Sequence, residues 1–246
     1  MIFALHGFLG CGSDFDPLKE ALKSRIALYA PDLPGHGSRG GDREITLDST
    51  LDTLKKIYEQ QKPGPRILLG YSMGGRIALN WATHEPDRFD QIILISTSPG
   101  IQSVEARAAR ILQDQEWMTK LQSMERSDWL DTWERQPVFN TSTPIPQEVQ
   151  TALRSQKLEA DANGWIASMQ GLGNGILPYL DHPFNTLNNP ALLLSGEHDH
   201  KFRQFHHHLA QPKHVSNVSI PGAGHRPHLE CPETTAQTII DFILEA

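Results

Sequence analysis

Gly70-Tyr71-Ser72-Met73-Gly74 decides the fold. Before it runs Ile67-Leu68-Leu69, a short apolar β-rich stretch; after it, Met73–His84 carries helix-forming residues. A G-x-S-x-G motif between a strand and a helix is a nucleophile elbow. The serine sits on a sharp, strained turn, and side chains two residues before and after it would collide with that turn, so both positions are small.

Working outward, apolar runs predict strands at Ile2–Leu5, Ile26–Ala30, Gln91–Ser96, Ala191–Ser195 and Asn217–Ile220, besides Ile67–Tyr71. Runs such as Ile92-Ile93-Leu94-Ile95 suit strands covered on both faces. Helices are predicted between them, at Asp16–Ser24, Leu47–Gln61, Met73–His84 and Glu233–Glu245. Strand–helix alternation argues for an α/β fold with a mostly parallel sheet and right-handed crossovers. From about Gln102 to Asp181 the pattern changes to charged helical stretches with tryptophans: Val104–Gln115, Trp117–Met124, Asp128–Arg135, Gln147–Ala160 and Ala162–Gly171. A loop is expected over 136–144. The division expected is a core of 1–101 and 186–246 with an inserted helical cap, 102–185.

A nucleophilic serine needs a base and an acid that orients it, in the chain order Ser, Asp or Glu, His. Asp199 follows the strand ending at Ser195, and His225 follows the strand ending at Ile220. Loops at the carboxyl ends of parallel strands are where such sheets bind ligands. Glu197 is the alternative acid and His228 the alternative base. The oxyanion hole of an elbow uses the N–H after the nucleophile, here Met73, and one from an early loop, here Phe8 in His6-Gly7-Phe8-Leu9-Gly10. Asp32-Leu33-Pro34-Gly35-His36-Gly37 reads as a structural turn. The run His206-His207-His208 reads as a solvated surface stretch, not a metal site, since consecutive helical residues face different ways.

The 246 residues, with 38% hydrophobic and 21% charged, are ordinary for a globular protein. A net charge of -7 without a basic run argues against nucleic acid. No apolar stretch is long enough to span a membrane. Two cysteines make no disulfide framework, and no basic, apolar leader precedes the first strand; a cytoplasmic protein is expected. Neither a cofactor nor a protein partner is implied.

Together these residues resemble the α/β-hydrolase superfamily over the whole chain. More narrowly, the chain is similar to the menaquinone-pathway lyases, the 2-succinyl-6-hydroxy-2,4-cyclohexadiene-1-carboxylate synthases. The resemblance rests on Leu5–Gly10, Asp32–Gly37, Gly70–Arg76, Glu105–Arg110, Trp133 with Gln136–Phe139, and Gly222–His225 with Pro227–Glu230. It implies elimination of pyruvate from an anionic small molecule carrying three carboxylates. It also implies that Arg76, Arg110 and Arg154 bind those carboxylates and that Tyr71 and Trp133 line the pocket. Arg76 lies one helical turn after Ser72, on a similar face, and guanidinium groups grip carboxylates bidentately. Arg107 competes with Arg110 for its role. Gly171–Pro178 matches the family's glycine-rich segment only loosely, and the sheet is expected to lack the leading hairpin of many superfamily members. The same triad also suits a serine carboxylesterase or thioesterase, and the fold also suits a non-catalytic ligand receptor.

Overall fold

The computed structural model describes residues 1–23, 25–61, 66–139, 143–210 and 212–245. Six strands form one sheet in the order β2-β1-β3-β4-β5-β6: β1 (Ile2–Leu5), β2 (Leu28–Tyr29), β3 (Ile67–Tyr71), β4 (Gln91–Ile95), β5 (Ala191–Gly196) and β6 (Val215–Ile220). Every pairing is parallel. Among the described residues no leading hairpin joins the sheet. The predicted β2 shrinks to two residues at the sheet's edge, where among the described residues one side has no partner strand.

The apolar runs explain the layering. Successive side chains of a strand point to opposite faces, so each run feeds two cores. Phe3, Leu5, Leu68, Ile92 and Leu94 pack with Leu51 and Leu54 of α2 (Leu47–Glu59) and with Ile77, Leu79 and Trp81 of α3 (Met73–His84). Ile2, Ala4, Leu69, Ile93 and Ile95 meet Leu18 of α1 (Asp16–Ala21) and Ile239 and Ile240 of the final helix (Pro232–Glu245). The helix predicted as Asp16–Ser24 ends earlier, and Ser24 lies outside the described residues.

Four longer helices follow β4 and precede β5: α4 (Val104–Ser123), α5 (Arg126–Glu134), α6 (Gln147–Glu159) and α7 (Ala162–Leu172). The two helices predicted over Val104–Met124 are one. No Gly or Pro interrupts 104–123, so once started the helix propagates through Glu116. The Ser103 hydroxyl caps it by accepting from the Ala106 N–H. Of the loop predicted at 136–144, Pro137–Phe139 form a single 3-10 turn and 140–142 lie outside the described residues. Leu121, Trp129, Leu130 and Trp165 make a small core of their own, which reaches Leu9 of the loop after β1.

After β5 comes α8 (His200–Leu209); a short α9 (Pro227–Glu230) precedes the final helix, α10. His206 overturns the surface reading of the histidine run. It is fully buried, while His207 and His208 are exposed. An amphipathic helix sends one of any three consecutive residues inward.

Candidate active site

Ser72 stands between β3 and α3 with φ 50° and ψ −109°, a conformation an L-residue adopts only when its surroundings hold it there. Those surroundings are specific. The Ser72 N–H donates to the Ile95 carbonyl at 2.9 Å, and the Thr97 hydroxyl donates to the Ser72 carbonyl at 2.8 Å. A Cβ on Gly70 would come within 2.6 Å of the Gly75 Cα, and one on Gly74 would strike the Leu5 and His6 carbonyls. Both motif glycines are therefore demanded by close backbone approach.

His225 joins Ser72 to Asp199. Its Nε2 lies 3.2 Å from the Ser72 Oγ and its Nδ1 2.9 Å from an Asp199 carboxylate oxygen. With Nδ1–H donating to the carboxylate, Nε2 is free to accept the serine proton. The two alternatives are engaged elsewhere. Glu197 is exposed and accepts from the Gly222 N–H at 2.9 Å. His228 is fully buried, 4.4 Å from the Tyr71 ring, and burial pushes it down to about 3, helped by Arg226 and His225.

Phe8 and Met73 line the same cavity as Ser72. Among the described residues neither backbone N–H has an acceptor. The loop carrying Phe8 is pinned by His6. Its Nε2 accepts from the Leu33 N–H at 3.0 Å and its Nδ1 bonds the Gly7 carbonyl at 2.8 Å. Burial lowers its pKa, which keeps it neutral and able to accept.

The cavity, about 270 Å³, runs from the triad up to α4, α5 and α7. Tyr71 and Trp133 line it; Trp133 stacks on Trp129 with ring centroids 5.3 Å apart. Arg76 and Arg110 line it as well. The Arg76 Nε is buried and, among the described residues, without a partner. Its pKa falls to about 10, through burial first and then the positive charge of Arg110. Arg110 Nε binds Asp114 at 2.7 Å. Arg107 is resolved as a bystander, its guanidinium directed at the Gly175 and Ile176 carbonyls.

Arg154 departs from the expectation. It forms an ion pair with Asp131 at 2.7 Å and lines a separate hollow with Glu134 and Arg226. It sits on α6, no residue of which lines the triad cavity. In its place stand residues that the sequence reading did not assign to the site: Lys201, Gln113, Gln136 and Asn174. Gln113 follows Arg110 by three on α4 and so shares its face, a signal that was available. Asn174 comes from the loosely matching glycine-rich segment, so that segment does reach the site.

Among the described residues, no group of three or more His, Cys, Asp or Glu side chains is placed to hold a metal ion. Nor is any helix long and apolar enough to cross a membrane.

Comparison with known proteins agrees with this fold. Residues 2–238 match the profile of the Alpha/beta hydrolase family. A 2-succinyl-6-hydroxy-2,4-cyclohexadiene-1-carboxylate synthase of Salmonella typhimurium is 31% identical, covering 97% of this chain and 92% of its own. Among solved structures, MenH from S. aureus superposes with a TM-score of 0.91 at 29% identity, covering 99% of this chain and 93% of its own. An enol-lactonase from Burkholderia xenovorans LB400, at 20% identity and a TM-score of 0.75, covers 99% of this chain and 90% of its own and shares the fold.

Proposed function

This chain belongs to the α/β-hydrolase family, among the 2-succinyl-6-hydroxy-2,4-cyclohexadiene-1-carboxylate synthases, and on that premise we propose that it is a lyase of menaquinone biosynthesis. Its substrate is 2-succinyl-5-enolpyruvyl-6-hydroxy-3-cyclohexene-1-carboxylate, from which it eliminates pyruvate. The observation that carries the reading is one cavity in which a Ser72–His225–Asp199 chain faces two arginines, one of them with a buried Nε that has no hydrogen-bond partner among the described residues. An apolar-acyl esterase has no use for such a cation beside its nucleophile.

The mechanism follows from the substrate's own bonding. The ring proton at C2 is acidic because it lies beside the succinyl ketone. His225, oriented by Asp199, draws the proton from Ser72, and the Ser72 oxygen removes the C2 proton as a general base. The electron pair moves onto the ketone oxygen, where the Phe8 and Met73 N–H groups stabilise the charge. It then returns through the C3–C4 double bond and breaks the C5–O bond. The ring becomes the 2,4-diene; the leaving enolate takes up one proton and departs as pyruvate. Proton and electrons balance without a cofactor. Arg76 and Arg110 hold substrate carboxylates, and residues 102–185 act as the cap that closes over them. A cytoplasmic location goes with this reading; the two cysteines, Cys11 and Cys231, are unbonded.

The test is pyruvate release from freshly made substrate, corrected for release without enzyme. Rapid release that collapses in Ser72→Ala supports the reading. An acyl adduct on Ser72 that turns over competently would replace it with ester or thioester hydrolysis by the same three residues.

A further inference from the structure

Among the described residues, the lining of the triad cavity carries three cations, Arg76, Arg110 and Lys201, against one carboxylate, Asp114. That carboxylate is already bound by Arg110. The chain as a whole is acidic, with a net charge of -7, so this concentration of positive charge is local. Like charges gathered in a concave, partly desolvated space repel one another strongly. Such a cluster persists where an anion is to be bound.

Lys201 is the member of this cluster that no sequence motif named. It is the second residue of α8, and Asp199 stands immediately before that helix. One short segment therefore supplies three groups to the site: Asp199 to His225, Phe202 against the His225 ring at 4.6 Å, and Lys201 to the cavity. The residue is exposed at the cavity mouth, and its ammonium lies 5.7 Å from the Phe202 ring centroid. Its charge is disfavoured by burial first and then by Arg110, with Arg76 adding to the repulsion and Asp199 opposing it.

We propose that Lys201 is a substrate-binding residue that takes one carboxylate of a tricarboxylate substrate, completing with Arg76 and Arg110 a set of three cations for three anionic groups. The inference rests on the reaction proposed above for the choice of substrate. In the structure Arg154 lines a separate hollow and Lys201 the triad cavity. A lysine there differs usefully from an arginine: a point charge on a flexible stem can follow a carboxylate as the substrate settles.

The experiment compares wild type with Lys201→Met, Lys201→Arg and Lys213→Met. Lys213 is exposed and outside the cavity lining, so it controls for the loss of one charge from the overall field. In pyruvate release, Lys201→Met is expected to raise KM by about tenfold or more, the loss of one charge-assisted contact, with kcat changed much less. Lys201→Arg should recover most of the loss, and Lys213→Met should behave as wild type. A second measurement needs no turnover: titration with tricarballylate, an unreactive tricarboxylate, followed by tryptophan fluorescence. Lys201→Met should bind it more weakly than both wild type and Lys213→Met. Equal binding of tricarballylate by wild type and Lys201→Met overturns the proposal, as does a loss confined to kcat. Absence of pyruvate release from the wild type would remove the reaction reading, while the tricarballylate titration would still decide the role of Lys201.

Discussion

The site is assembled from two kinds of structure. The carboxyl edge of the sheet supplies Ser72, Asp199, His225 and the Phe8 loop, each on a turn that the backbone leaves little freedom to move. The helical block between β4 and β5 supplies Arg110, Trp133 and Asn174 from helices and a connecting turn. At the edge, the elbow is held by the Ile95 carbonyl, the Thr97 hydroxyl and the clearance of two glycines. In the block, cations are held by exchangeable ion pairs, Arg110 with Asp114 and Arg154 with Asp131. Chemistry that tolerates little error in geometry sits on the rigid side, while recognition of a many-armed anion is shared: Arg110 and Trp133 come from the adaptable block, Arg76 on α3 and Lys201 on α8 from the core.

The sharpest way to break this contrast is to strike the rigid side. Ser72→Ala removes the base and should lower kcat for pyruvate release by about 10³-fold or more, with KM little changed. A residual rate within tenfold of wild type would mean that proton removal does not depend on Ser72, and that the strained elbow serves something else.

Acid should also act first on the sheet side. His36, His206 and His228 are fully buried; burial pushes them down to about 3, about 4 and about 3 from an ordinary 6.5. In the unfolded chain they take up protons below pH 6.5; in the folded chain they do not. The unfolded state then binds more protons, so stability falls as pH falls. At pH 5 each contributes a loss of up to about 2 kcal/mol. Asp14 and Asp114, whose carboxyls burial pushes up, oppose this in part. Urea midpoints measured from pH 7.5 to 5 should therefore decline steadily; a flat profile would show that these histidines are protonated in the folded protein.

The same contrast explains what could be read from the sequence. Ser72, Asp199 and His225 are legible because each follows a strand, and strands announce themselves as apolar runs in a parallel sheet. His206 was misread because run composition hides helical facing. Lys201 and Asn174 carry no motif: their presence in the cavity depends on how α8 and the turn after α7 pack, which is a tertiary fact. Arg154 was placed by resemblance alone, and its ion pair with Asp131 follows from the packing of α6 against α5.

Among the cavity's cations, Arg76→Met should have the largest effect; Arg76 sits on α3, directly after the elbow. Among the described residues its buried Nε has no hydrogen-bond partner, and no ion pair to a carboxylate holds it as Asp114 holds Arg110. KM should rise by about tenfold to a hundredfold, one charge-assisted bidentate contact. A change confined to kcat would instead make Arg76 part of the chemical step.

Arg154→Met is the smallest predicted effect, and it tests whether the helical block keeps this arrangement when substrate is bound. The Arg154–Asp131 pair is about a third exposed on one side and more on the other. Exposed pairs contribute about 0.2–1 kcal/mol, so melting should fall by no more than about 4 °C for a chain of this size. With Arg154 outside the cavity lining, KM should stay within about twofold, well below the factor of ten that one charge-assisted contact commands. A tenfold rise in KM would have a definite meaning. Arg154 would have to leave Asp131 for a substrate carboxylate, and α6 would have to move toward the triad. The double variant Asp131→Asn/Arg154→Met separates the two cases. If the pair is only structural, the second substitution adds nothing to KM; if Asp131 restrains an arginine that substrate recruits, Asp131→Asn alone should lower KM.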